Sequence, residues 1–376
     1  MDDNVGNYPL YGASGFLKCI DFYEMDSDYI SIVKDGSGVG NISFHEKNTS
    51  VVNTSQYILP KENLNIHFIF YLLQTINLNK YKTGSTIPHI YFKDYSIEKV
   101  KIPKYDEQKK IGILLKNLDA KIEILDNKLQ MCQNFKKYLM QQIFTQKLRF
   151  NFTDGWKVVK LETLIKKGKA GGTPSSTNLD YYNGDIPFLS IKDMTEQGKY
   201  IVKTEKSITN EGLNNSSAWI IPKYSLLYSI YASIGLVAIN RTEISTSQAI
   251  YGIILKEGVS LEYMYYYLTY FKKNVHRYIE TGTQGNLNAK LLKSFEVLLP
   301  SLKEQEMIVN ILSLADEKIE NTEKEIIKMN EFKKGLLQQM FVVRINWRCN
   351  FKLAKSPSFN KHLLILKNKI IFIIIK

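Results

Sequence analysis

Residues 103–144 and 300–341 align without a gap at an offset of 197, with 16 identities in 42 positions. Pro103 falls on Pro300, Glu107-Gln108 on Glu304-Gln305, Asp119 on Asp316, and Phe135-Lys136-Lys137 on Phe332-Lys333-Lys334. So dense a match marks a duplication, and it restricts the chain to folds built from two like halves. Within each copy apolar residues step alternately by four and three. The first seam is Ile111, Leu115, Leu118, Ile122, Leu125, Leu129 and Cys132; the second is Ile308, Leu312, Ala315, Ile319, Thr322, Ile326 and Met329. That spacing is the a/d pattern of a coiled coil, and the flanking positions are mostly charged or amide residues. Each copy therefore predicts one long helix of about 40 residues, about 60 Å at a rise of 1.5 Å per residue. Pro103 and Pro300 stand where a strand can end but where a helix interior could not hold a proline. Two amphipathic helices on separate globular cores would satisfy the same pattern. Matched seams in tandem copies favour helices packed on each other about an internal pseudo-twofold axis.

The stretches before the helices read as strands and turns. Short β-branched and aromatic runs (YISIVK, QYILP, SLLYSIYASIGLVAI, SFEVLLP) alternate with turn-forming clusters such as KDGSGVGN, KAGGTPSST and TGTQGN. The expected fold is α+β (α/β): two β-rich domains separated by two long antiparallel coiled-coil helices. The divisions are 1–102, 103–147, 148–299, 300–341 and a basic tail at 342–376. The two β-rich stretches align poorly except where YKTGSTIPHIYFKDYSIEKVKIP faces IETGTQGNLNAKLLKSFEVLLP. A repeated frame with diverged inserts suits two different recognition surfaces, because loops on a rigid scaffold carry specificity.

Of the net charge of +13, eight units lie in the acid-free tail, leaving five for residues 1–341. That balance permits a polyanionic partner without demanding one. Three scattered cysteines without metal spacing suit a reducing cytoplasm. The opening MDDNVGNYPLYG lacks the basic-then-apolar pattern of a secretory leader, and no apolar run is long enough to cross a membrane.

The duplicated "IP…EQ…I…L…LD.KIE" helix, each copy ending "F.K.L.QQ.F", resembles the specificity subunit of type I restriction–modification systems. So do GWKVVKLETL from Gly155, GGTPS at 171–175, IPFLSIKDM at 186–194 and the TG(S/T) loops ahead of each helix. YPLYGASG and ISIVKDGSGVGN resemble the family's other common opening, and the likeness spans residues 8–341. The resemblance implies two target-recognition domains reading the halves of a split, asymmetric double-stranded DNA site. It implies helices that fix the unread spacer and dock two modification (methyltransferase) subunits and restriction (translocase/nuclease) subunits. S-adenosylmethionine, ATP and Mg are expected in those partners, with no cofactor or metal in this chain and a cytoplasmic location.

The sequence is consistent with a non-enzyme. No (N/D)-P-P-(Y/F) methyltransferase motif and no G-x-x-x-x-G-K-(S/T) loop occurs. Gly36-Ser37-Gly38-Val39-Gly40 looks superficially like a cofactor loop. Asn41 stands where its last glycine should be, so a tight turn between strands is expected. His45, His67, His89, His276 and His362 form no metal spacing. Candidate DNA contacts, chosen for hydrogen-bonding or cationic side chains in loops, are Tyr11, Ser14, Lys34, Asp35, Ser37, Asn41, Ser85 and Thr86 in the first domain. In the second they are Thr173, Ser175, Ser190, Lys192, Tyr228, Ser233, Gln248, Thr283, Gln284 and Asn286. Each could equally be a turn or capping residue. The tyrosine-rich run 261–280 has helical spacing and reads as core rather than a base-stacking platform.

Two features set the first half apart. No W-x-x-V-x-L segment precedes Tyr8, so the first domain is expected to lack its leading strands, and the tail matches nothing in the first copy. A truncated or silent specificity cassette, or the recognition half of a fused methylase–nuclease, are the alternative readings.

Overall fold

The computed structural model describes residues 5–150, 152, 154–231, 233–278, 287–342 and 370–371; the basic tail lies otherwise outside the described residues. The chain forms two compact units, 1–128 with 322–376, and 129–321. Both predicted long helices are present, Tyr105–Phe144 and Leu302–Leu337, and each contributes one end to each unit. Asp106 and Glu107 place negative charge in the first turn of the first helix, where the helix dipole favours it. That helix closes in a Schellman turn, with the Lys147 N–H donating to Gln142 O and the Gln146 N–H to Ile143 O. Gln146 occupies the left-handed position (φ 57°) that glycine usually takes.

In the first unit the fully buried strand β3 (Tyr29–Val33) lies between β4 (Ile42–His45) and β6 (Ser55–Ile58), antiparallel to both. Helix α1 (Ile66–Gln74) covers this sheet, Phe68, Ile69, Leu72 and Leu73 meeting Ile30, Ile32 and Ile58 in one core. A second sheet pairs β1 (Tyr8–Gly12) antiparallel with β2 (Gly15–Ile20) and parallel with β5 (Ser50–Val51).

The second unit repeats that plan on a larger scale. Strand β7 (Lys157–Lys160) pairs with β16 (Glu296–Leu299), which leads into the second long helix. A five-stranded sheet contains β8 (Ile165–Ala170), β10 (Tyr200–Ile201), β12 (Leu226–Ser229), β13 (Val237–Asn240) and β15 (Ile250–Leu255), in the order β10-β13-β12-β15-β8. Its centre, β12 antiparallel to both β13 and β15, has the topology of β4-β3-β6. Likewise β9 (Tyr182–Leu189) pairs antiparallel with β11 (Lys206–Ile208) and parallel with β14 (Ser245–Thr246), as β1 does with β2 and β5. The duplication thus extends into the stretches whose sequences align poorly. Strands β8 and β10, at the edges of the five-stranded sheet, have no counterpart in the three-stranded sheet of the first unit. Helix α2 (Ile191–Gln197) follows β9. Helix α3 (Leu261–Phe271) buries Tyr263, Met264, Tyr265, Tyr266, Tyr267 and Leu268 against the five-stranded sheet, so the tyrosine-rich run is core.

The repeated Gln of each helix is a buried clasp. Gln108 Oε1 accepts the Asn65 N–H (2.9 Å), while its Nε2 donates to Pro103 O (2.9 Å) and Asn63 O (3.2 Å). Gln305 Oε1 accepts the Ser260 N–H (2.9 Å) and its Nε2 donates to Pro300 O (3.0 Å). Each amide joins the start of a long helix to the N-cap residue of α1 or α3. The neighbouring Glu304 is buried and receives Arg149 (3.1 Å), five residues past the end of the first long helix.

The seams are buried or half-buried along their whole length, Leu115, Leu118, Leu125, Ile308, Leu312 and Thr322 being the buried members. Within the first unit Ile111 and Phe341 join one core, and Asp119 pairs with Lys333 (2.6 Å). Within the second, Met140, Ile143 and Phe144 pack in one core with Ile308 and Leu312, and Lys136 pairs with Asp316. In each unit a rising number on one helix meets a falling number on the other, so the helices run antiparallel. The cores also hold sheet and α1 or α3 residues, so the seams pack on the domains as well as on each other.

Candidate nucleic-acid interface

Three loops of the first unit meet beyond the ends of its strands. The β1–β2 turn contains Ala13 and Ser14, the β3–β4 hairpin runs from Lys34 to Asn41, and the third loop spans 83–89. Backbone bonds tie them: the Gly36 N–H donates to Pro88 O (2.9 Å), the Ile90 N–H to Lys34 O (3.0 Å), and Thr83 and His89 exchange both bonds. Gly38 sits so close to the β1–β2 turn that an added Cβ would come within 2.9 Å of the Ala13 Cβ. Gly36 and Gly40 have φ of 94° and 90°, so KDGSGVGN is a hairpin turn, as expected. The structure thus brings Ser14, Ser37, Asn41, Ser85 and Thr86 together as exposed side chains on one rigid cluster. Lys34 and Asp35 flank it, half-exposed and 3.9 Å apart. Tyr11 is half-buried, with its ring against His45 and Phe16.

The second unit builds a like cluster. Gly171 and Gly172 of GGTPS have no room for a side chain, since a Cβ would lie 2.2 Å from Thr246 O and 2.3 Å from Ser217 Oγ respectively. The motif's glycines therefore allow the 171–177 loop to lie against the 215–218 and 245–248 loops. Thr173 donates its hydroxyl to Gln248 Oε1, joining two predicted residues 75 positions apart. Ser175 bonds Thr177 beside them (2.7 Å). The β12–β13 hairpin carries Ser233 at φ 50° and is tied to the same region through the Ile230 N–H to Ala249 O and the Leu287 N–H to Ile230 O. The Leu287–Ile230 bond occupies the place of Ile90–Lys34 in the first unit. Thr173, Ser175, Ser233 and Gln248 are exposed; Thr283, Gln284 and Asn286 lie outside the described residues.

Two expectations need correction. Tyr228 is wholly buried in the core against Phe295, and its hydroxyl has no hydrogen-bond partner, so it offers DNA nothing. Ser190 is the N-cap of α2, its Oγ bound to Asp193 (2.6 Å) in a capping box, and is occupied locally. Lys192 is exposed but held by Glu205 (2.8 Å) and lies near Glu196 (3.9 Å).

Other residues at the clusters escaped the sequence reading. Gly40 packs against Leu78 and Lys82, and Gly235 (φ 85°) against Lys272. The turns after α1 and α3 thus bring one cation to each hairpin, Lys82 in one unit and Lys272 in the other. The signal was present in KKNVHRY, but that run was absorbed into the tyrosine-rich core. Phe16, in strand β2 next to the β1–β2 turn, and Tyr231, in the β12–β13 hairpin, are exposed aromatics. Asn41, Gln74, Asn77 and Asn79 line a cleft of about 270 Å³ beside the first hairpin. Among the described residues no group of three or more His, Cys, Asp or Glu could hold a metal ion. Nor is any described helix long and apolar enough to cross a membrane.

Each half of the chain thus presents a rigid cluster of short polar loops flanked by cations. Residues 2–132 and 153–331 match the type I restriction modification DNA specificity domain, once for each repeat. The chain belongs to the type I specificity family. Among its relatives in that family, the MjaIX specificity subunit of Methanocaldococcus jannaschii is 33% identical over 209 residues, 54% of this chain and 46% of that protein. The EcoR124I/EcoR124II specificity subunit of Escherichia coli is 27% identical over 271 residues, 67% and 63% of the two chains. The chain therefore spans roughly half to under two thirds of these relatives' lengths. The S subunit of a type I restriction–modification system from M. genitalium has the same fold, with a TM-score of 0.62, 16% identity and 92% coverage of both chains.

Proposed function

We propose that this chain is the DNA-recognition subunit of a type I restriction–modification complex, each unit reading one half of a split, asymmetric double-stranded site. The observation that supports this most is the doubled loop cluster. Two surfaces of like backbone construction and different side chains stand on one repeated frame, in a chain of the specificity family. Exposed Asn, Gln, Ser and Thr supply donors and acceptors for base edges, and Lys34, Lys82 and Lys272 supply phosphate contacts. The chain works in the cytoplasm and performs no chemistry itself. Two modification subunits transfer the methyl group with S-adenosylmethionine, and restriction subunits use ATP and Mg. Phe135 and Phe332, equivalent in the two helix copies and each 57% exposed, the first beside exposed Met131 and Tyr138, are suited to docking those subunits. Co-expression with the modification subunit in a host lacking other DNA methylation tests the reading. A split motif should be methylated only when both chains are present; methylation by this chain alone would refute it.

A further inference from the structure

In each unit one aspartate is shared by three elements. Asp119, on the first long helix, accepts the hydroxyl of Tyr71 from α1 (2.8 Å) and pairs with Lys333 of the second long helix (2.6 Å). Asp316, on the second long helix, accepts the hydroxyl of Tyr266 from α3 (2.6 Å) and pairs with Lys136 of the first. The two lysines lie 5.5 Å and 5.6 Å from the centres of the same tyrosine rings. Asp119 and Asp316 are one repeated position and Lys136 and Lys333 another, so each copy's aspartate takes the other copy's lysine. Both tyrosines are buried, and burial followed by the aspartate hydrogen bond raises the pKa of each phenol, so both remain donors at neutral pH. The helices bearing them cover the sheets whose hairpins form the loop clusters.

We propose that Asp119 and Asp316 are positioning residues. Each clamps one recognition domain to both long helices at once and sets the angle at which its loops leave the helix pair. A simple surface ion pair would stabilise little and orient nothing. A carboxylate that accepts a hydroxyl fixed in a buried core while holding a cation from the opposite helix defines a direction, because three elements must meet at one point. The clamp of the second unit is doubled: Lys199 Nζ donates to the Tyr266 hydroxyl (2.8 Å) and lies 3.8 Å from Asp316. Removing Lys333 should therefore loosen the first unit more than removing Lys136 loosens the second.

The proposal rests on the DNA-recognition reading only for its consequence, a preference for one spacer length, so the test has two arms. In the full chain with its native cysteines replaced, spin labels go at Glu62, ahead of α1, and Lys121, on the first long helix; both sites are exposed. Pulsed electron paramagnetic resonance then measures the distance between them. Tyr71→Phe, Lys333→Gln and Asp119→Asn should each broaden the distance distribution while circular dichroism stays that of the wild type. Tyr71→Phe removes one hydrogen bond, Lys333→Gln removes the cation shared by Asp119 and the Tyr71 ring, and both leave the core volume intact. A width equal to wild type in these two folded variants overturns the proposal. In the methylating complex, Asp119→Asn should lower the preference for the mapped spacer over one lengthened by a single base pair about tenfold, the scale of losing one hydrogen bond to a charged group. Half-site sequences should stay the same; an unchanged spacer preference overturns the proposal. If the wild-type complex methylates no split site, the DNA-recognition reading fails, while the distance measurement still decides the clamp.

Discussion

Gln305→Leu isolates the clasp that the repeated Glu-Gln motif builds. Leucine has similar volume but cannot accept the Ser260 N–H or donate to Pro300 O, so both backbone groups lose their partner. Each such group costs about 1–3 kcal/mol when left unpaired in a buried place. The added apolar contact of leucine returns about 1 kcal/mol. The net loss is about 3 kcal/mol. Trp156 and Trp219 both lie in the second unit and report its unfolding in urea by fluorescence. With a urea slope of about 2–3 kcal/mol per molar for a unit of this size, the midpoint should fall by about 1 M. Gln130→Leu, on the exposed face of the first long helix, serves as control and should change stability by less than about 0.5 kcal/mol. If Gln305→Leu shifts the midpoint no more than Gln130→Leu, the clasp is not what the repeated glutamine is for.

Further outcomes follow from the same geometry. His45 is buried beside Ser31 (2.8 Å) and against Tyr29, and burial lowers its pKa to about 4. The unfolded chain takes up this proton first as pH falls, so the contribution is complete above about 6.5 and lost between there and about 4, amounting to about 3 kcal/mol. Hydrogen exchange of the β3 amides should show that slope, and His45→Gln should flatten it; an equal slope in the variant contradicts the assignment. Tyr228→Phe removes a buried hydroxyl that has no partner, so stability should be unchanged or raised by about 1 kcal/mol, and a clear loss in urea denaturation would reveal a bond to that oxygen. Lys34→Ala should weaken DNA binding evenly across sequences and reduce the salt slope by about one. Lys192→Ala should do so less, because Glu205 already holds that ammonium; a larger effect at Lys192 would reverse the ranking.

The helices were legible because their seams repeat with a fixed period, and duplication supplied the same pattern twice. The clasp at Gln108 and Gln305 was visible only as an identity, since its partners, Asn65 and Ser260, lie more than 40 residues away. The doubled strand frame was hidden because a strand needs only alternation and burial. β3 and β12 keep their place through antiparallel pairing while sharing almost no residues. At the interface the loops were found by their glycines, since turns announce themselves through residue type. Individual contacts were not: Tyr228 sits in a strand run that hides whether it faces core or solvent, and Ser190 could be a cap or a contact until its Asp193 bond is seen. Lys82 and Lys272 were missed because only the fold carries the turns after α1 and α3 back to the hairpins.

The most direct test of the central claim is base-resolution mapping of DNA methylation in a methylation-free host expressing this chain with its modification subunit. One asymmetric motif, two short half-sites across an unread spacer, should be modified throughout the genome. Exchanging residues 171–177 and 245–248 for those of another family member should change one half-site alone. Methylation with no split motif, or a motif indifferent to that exchange, would contradict the account.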